Sequence, residues 1–182
     1  MTYSVTISAA GPEPVSVSQV RMHTKVDDNT EDAIILDYIA GARQKIEQWT
    51  GLLLRSCTLT LTLDAFDDPI LLPRAPVRSI TSITYTDGDG DVQTVAGSDY
   101  ALREYMGQYQ IAALGNSWPP IEDYSQITIT AVAGFETPND VDFDLKAVIY
   151  RMVSHMYDNR GEHGGLEGFG SQVINHRLSW AF

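Results

Sequence analysis

Between residues 30 and 63 the apolar spacing of this chain changes period, and few backbone arrangements satisfy both halves. In "TEDAIILDYIAGARQKIEQWTG", residues 30–51, Ile35, Ile39, Ala42, Ile46 and Trp49 recur at intervals of four, three, four and three. That spacing lines one face of an α-helix with apolar groups. Thr30 is placed to cap it, Glu31 and Asp32 sit at the positive end of the helix dipole, and Gly51 is placed to stop it. From residue 56 the period is two: in "SCTLTLTL", Cys57, Leu59, Leu61 and Leu63 face one way and the threonines the other. A strand buried on one face follows.

The rest of the chain repeats these two periods. "SVSQVRMHTKV" from Ser16 carries a serine with Gln19 three residues on, a capping box opening a short helix. "ILLP", "VRSITSITY", "VQTVAG", "YALREY", "YQIAAL" and "SQITITAVAG" read as further strands, each bounded by Gly, Pro, Asp or Asn. In "DVDFDLKAVIYRMVSHMYDNRG", Leu145, Val148, Ile149, Met152, Val153 and Met156 share one helical face, and Gly161 is placed to end the helix. The expected class is α+β: a small helical bundle, with helices near 16–26, 30–50 and 142–160, carrying an inserted antiparallel β-rich section at 56–134. Gly11, Pro12 and Pro14 make residues 1–15 an N-terminal arm, and residues 16–160 form one domain. Residues 161–182 begin with five glycines in ten and end on Val173, Ile174, Leu178, Trp180 and Phe182. They read as a flexible tail whose apolar end docks on a partner or a neighbouring copy.

Composition narrows the function. Acidic residues outnumber basic ones 24 to 12, for a formal charge of -12, and the Lys and Arg form no stripe, so tight binding to nucleic-acid phosphates is not expected. The single cysteine, Cys57, has no partner for an intrachain disulfide and sits in a strand pattern as a buried thiol. No run approaches the roughly 18 apolar residues of a bilayer span, and no basic residue precedes Arg21. A soluble protein made in a reducing cytoplasm is expected.

Candidate chemistry is thin. "TDGDGD" sets Asp87, Asp89 and Asp91 at alternate positions, as a calcium loop does, but position six of such a loop would be Val92 and position twelve Ser98, where glycine and a bidentate glutamate are required. Asp-Gly repeated between two strands is a hairpin turn instead. His23, His155, His163 and His176 lack metal-ligand spacing. No phosphate loop, nucleophile elbow or dinucleotide fingerprint occurs. The carboxylate pairs Asp67-Asp68, Glu122-Asp123 and Asp142-Asp144 stand at turns or helix starts, where capping accounts for them. No catalytic residue, metal or cofactor is assigned. Trp118, in "NSWPPIEDY", either covers the end of the β section or anchors a carbohydrate or peptide, which would make this a small binding module.

The order of motifs is more specific than any one of them. "EPVSVSQVRMHTKVDDNTEDAIILDYIAGARQKIEQWTGLLL", then "ILLPRAPVRSITSITYTDGDGDVQTV", "YALREYMGQYQIAAL", "WPP" and "ITITAVAGFETPNDVDFDLKAVIYRMVSHMYDNRGE" together resemble head-tail connector proteins, the adaptors or head completion proteins of long-tailed bacteriophages and gene transfer agents. The likeness runs over residues 13–162 and departs in the tail, which is richer in glycine than the family's pattern. It implies a structural protein without catalysis, assembled as a ring, expected to be a dodecamer, beneath the portal protein. A tail-side neck or stopper protein lies on its other face, and exiting DNA passes through the channel unbound. The chain would then be synthesised in the bacterial host cytoplasm and reside in the virion neck. On this reading Val173, Ile174, Leu178, Trp180 and Phe182 contact the portal or a neighbour, and Arg43 and Lys45 on the long helix contact the next subunit.

Overall fold

The computed structural model describes residues 3–9, 11–115, 117–121, 125–160 and 165–178. It is α+β, as the change of period requires, but the chain closes two hydrophobic cores instead of one. Met1–Ala10 with Ser56–Gly134 make one compact unit, and Gly11–Arg55 with Phe135–Phe182 make the other. The section expected as an insertion at 56–134 makes, with the N-terminal strand, a unit of its own: the sheet buries its own alternating face while the helices bury theirs among themselves.

The β unit contains β1 (Tyr3–Ala9), β2 (Cys57–Leu63), β3 (Ile70–Leu71), β4 (Val77–Thr86), β5 (Val92–Thr94), β6 (Tyr100–Tyr105), β7 (Gln108–Ala113) and β8 (Ile127–Ala133). Five strands form one sheet in the order β1-β2-β8-β4-β5, and three form another in the order β3-β7-β6. The alternation read in β2 is realised, with Cys57, Leu59, Leu61 and Leu63 all buried. They continue across the sheet into Ile127, Ile129, Ala131 and Ala133 of β8, paired in register with Leu63, Leu61, Leu59 and Cys57. Residues 3–9, expected in an arm, are an edge strand: β1 pairs with β2 without interruption from Tyr3↔Leu63 to Ala9↔Cys57. Their alternation was a strand signal, and Gly11 and Pro12 break it only where the chain leaves the sheet.

The helical unit holds α1 (Val17–Thr24), α2 (Asp32–Thr50) and α3 (Phe143–Asp158). The capping box forms as read: the Gln19 amide donates to Ser16 Oγ at 3.3 Å, and the Ser16 amide donates to Gln19 Oε1 at 2.8 Å. Thr30 does not cap α2. Glu31 holds the N-cap position, and its carboxylate is committed elsewhere. At the other end Gly51 takes φ 80°, a left-handed turn that a side chain would strain, and its amide reaches Glu47 O at 3.0 Å. α3 ends on Asp158 with Asn159 as cap, and Gly161 lies outside the described residues. Ile35, Ile39, Ala42 and Ile46 are fully buried against Leu145, Val148, Ile149, Met152 and Val153. At about 1.5–3 kcal/mol per buried large aliphatic side chain, this seam dominates the stability of the unit.

Candidate interaction surfaces

The tail is the first element to place. Glu167–Gln172 and Ile174–His176 form two short 3₁₀ helices that lie within the helical unit. Val173 is 1% exposed inside the core formed by α1, α2 and α3, Leu166 and Phe169 pack against that core, and Gly170 lies against the Trp49 ring. Leu178 is also buried, and its amide donates to Thr50 O at 2.9 Å. Gly165, at φ +87°, approaches so closely that an added Cβ would lie 2.5 Å from His155 Nε2. Val173 and Leu178 thus complete their own chain's core, which corrects the expectation that the whole apolar end is free to dock. Ile174 remains 56% exposed, and Trp180 and Phe182 lie outside the described residues.

Arg43 is likewise internal. Its Nε donates to Glu13 Oε2 and its Nη1 to Glu47 Oε2, both at 2.7 Å, with only 9% of the side chain exposed. Arg55 Nη1 holds the other Glu13 oxygen at 2.7 Å, and the Leu54 amide donates to Glu47 Oε1 at 2.8 Å. Two arginines and two carboxylates therefore tie the segment before α1, the helix α2 and the segment after it together. Burial pushes the Glu47 carboxyl above its ordinary range despite the adjacent Arg43. The family resemblance put Arg43 at a subunit contact; its glutamate partner 30 residues away leaves no local signal in the sequence. Lys45 is exposed and remains available.

A second cluster closes the opposite end of α2. Arg160 grips Glu31 with both guanidinium nitrogens, at 2.5 and 2.7 Å, and stands 4.2 Å above the Tyr157 ring, whose hydroxyl donates to the same carboxylate. These bonds hold the Glu31 carboxyl down to about 2, the Arg160 bond contributing most. The "Tyr-x-Asn-Arg-Gly" ending of α3 is thereby a clamp on the "Thr-Glu-Asp" opening of α2. The "Trp-Thr-Gly" end of α2 is equally structural: Thr50 is fully buried, donates to Ile46 O and accepts from the Leu52 amide.

In the β unit, residues 87–91 form the hairpin turn. Asp87 N donates to Asp91 O, Gly90 N to Asp87 O, and Asp87 Oδ1 accepts from the Asp89 and Asp91 amides at 3.1 and 3.0 Å. Gln93 donates to Oδ2 at 2.8 Å, and these donors lower the Asp87 pKa, Gln93 first. The first carboxylate of the supposed calcium loop is occupied by its own turn. Among the described residues no three His, Cys, Asp or Glu side chains gather as metal ligands would. Trp118 stacks on Phe66, centroids 4.8 Å apart and planes 2° from parallel, so one indole face is already covered. Trp118 also borders an open cleft of about 400 Å³ with Tyr85, Val95, Asp99 and Leu114, but its Nε1 is enclosed and has no hydrogen-bond partner among the described residues. This geometry favours the covering role over a ligand platform. Glu122 and Asp123 lie outside the described residues.

What the apolar surface offers is spread over both units. Met22 and Phe143 are 75% and 76% exposed in the helical unit, and Tyr105 and Met106 are 68% and 83% exposed at the β6–β7 turn. Sequence reasoning missed these because singly exposed apolar residues carry no periodic signal. Among the described residues no helix is long and apolar enough to cross a membrane.

Charge clusters that brace helix ends, a turn that occupies its own carboxylate and described tail residues packed on the core define an α+β protein whose polar groups serve its own fold. No protein-family model matches the sequence and no curated protein matches it. Solved structures do. A chain from the virion of a native gene transfer agent particle superposes with a TM-score of 0.81 at 27% identity, covering 95% of this chain and 94% of that one. A chain from the neck of the native particle, computed with C12 symmetry, gives 0.79 and 27% over 96% and 94%. One from the neck of the empty particle, computed with C6 symmetry, gives 0.80 and 25% over 94% and 95%. The resemblance to head-tail connectors is thereby borne out, and the chain is assigned as a structural neck protein.

Proposed function

We propose that this chain is the adaptor of a phage-like particle, a ring of copies seated under the portal that joins the head to the tail and surrounds the DNA exit channel, with no catalytic activity of its own. The observation that carries the reading is a likeness spanning at least 94% of both chains to neck proteins solved with C12 and C6 symmetry. Near-complete coverage matters, because a match of that extent takes in both units. The charge of -12 supports a channel role, since an acidic wall repels exiting DNA without gripping it. Contact with the portal or a neighbouring copy is assigned to Ile174 with Trp180 and Phe182, and Lys45 to a neighbouring subunit; on the far face a tail-side neck or stopper protein follows.

The test is the mass, by light scattering, of the purified protein alone and mixed with the portal protein of its own genome. The comparison chain is truncated after Leu178, which keeps Val173 and Leu178 in the core. A portal-dependent ring that is lost on truncation is expected. A monomer indifferent to portal would overturn the proposal.

A further inference from the structure

Natural sheets guard their edges with charges, prolines, bulges or very short strands, because a bare edge pairs with whatever strand it meets. β1 has none of these guards. "YSVTISA" contains no charged residue and no proline, runs for seven residues, and pairs with β2 without a register shift. By contrast β4, inside the same sheet, shifts register twice. Among the described residues nothing pairs with the outer side of β1. The apolar row of the sheet also runs out here without a cover: Ile7 lies opposite Leu59, which is 1% exposed, yet Ile7 itself is 40% exposed.

We infer that the bare edge of β1 is a subunit interface at which a second copy of this chain adds a strand, and that the strand it adds is β6. The inference rests on the ring reading above. In a ring each copy meets the next through two different surfaces, so the complement of β1 must lie elsewhere on the same chain. Among the described residues the other free edges are β3 with two residues, β5 with three, the part of β4 that precedes its pairing with β5 at Thr84, and β6 with six. The β4 stretch is broken by two register shifts, whereas β6 runs without a shift over nearly the seven residues of β1. Both edges belong to the β unit, so one compact unit carries both halves of the contact. Charge points the same way. Copies bearing -12 each repel one another, and β1, which has no charge, meeting β6, whose Arg103 and Glu104 cancel, is a contact that adds no net charge to that repulsion.

The experiment is amide hydrogen exchange, read by mass spectrometry on the wild-type chain free and in the portal-bound ring, together with the ring yield of two variants. Ile7→Lys puts a charge into the uncovered row, and Val92→Lys, at a position 75% exposed on the short edge β5, is the control. Peptides covering 3–9 and 100–105 should both gain protection on assembly while 92–94 does not. Ile7→Lys should raise the concentration needed for assembly at least about tenfold, a change of about 1.4 kcal/mol, with Val92→Lys unchanged. If Ile7→Lys fails to fold, the wild-type exchange decides alone. A ring in which 3–9 and 100–105 exchange as in the free chain overturns this interface and leaves the adaptor proposal standing. Absence of any ring overturns both.

Discussion

Replacing Arg43 by methionine isolates the ion cluster of the helical unit, because methionine keeps the apolar stem and removes only the guanidinium. The wild-type side chain makes two charge-assisted bonds, to Glu13 and Glu47, each 2.7 Å long, with partners only 12% and 14% exposed. Bonds of this kind contribute about 1.5–3 kcal/mol each, and breaking a buried pair from one side costs about 3–5 kcal/mol. Glu13 keeps Arg55 and Glu47 keeps the Leu54 amide, so the loss should fall near the lower figure, about 3 kcal/mol. Urea unfolding followed by far-ultraviolet circular dichroism at pH 7 measures it as a lower midpoint at unchanged slope. The pH dependence gives a second reading. Burial already raises the Glu47 pKa in the folded state, and a raised carboxyl favours the fold at low pH and loses that contribution as pH rises through it. Without Arg43 the rise is larger, so the deficit of the variant should shrink as the pH is lowered from 7 toward 5, and adding Glu47→Gln should recover part of it. A deficit below about 1 kcal/mol, the range of an exposed pair, or one that widens on acidification, would refute the account of Arg43 as a buried brace.

Glu31 carries the opposite sign: its pKa of about 2 lies below the ordinary 4.5, so its contribution is present above pH 4.5 and is lost as pH falls toward 2. Glu31→Gln should flatten stability over that window, which thermal midpoints taken from pH 5 to pH 2 would register. Met106 takes φ 52° with its side chain 83% exposed, so Met106→Gly should stabilise the β unit by about 1 kcal/mol, seen as a higher melting temperature. Val173→Ala should cost about 1–3 kcal/mol in chemical denaturation because it opens a cavity, whereas Ile174→Ala, 56% exposed, should stay within about 0.5 kcal/mol.

The local architecture of this chain was legible because it depends on short-range spacing. The intervals of Ile35, Ile39, Ala42 and Ile46, the alternation of Cys57 through Leu63, the Ser16–Gln19 box, the left-handed stop at Gly51 and the Asp-Gly turn are each decided within a few residues, and each is present. The ordered motif set likewise survived as structure, since its conspicuous members are caps, turns and clamps. What sequence could not decide depends on partners far apart in the chain. Arg43 turned inward because Glu13 comes to meet it, Glu31 stands at the N-cap with its carboxylate committed to Tyr157 and Arg160 from more than a hundred residues away, and β1 became an edge strand because β2 offered seven matching positions. The tail shows the difference most clearly. Its glycines promise freedom and its apolar end promises a partner, but the core of α1, α2 and α3 leaves room for Val173, and burying it there commits that part of the apolar segment to its own chain while Ile174 stays exposed.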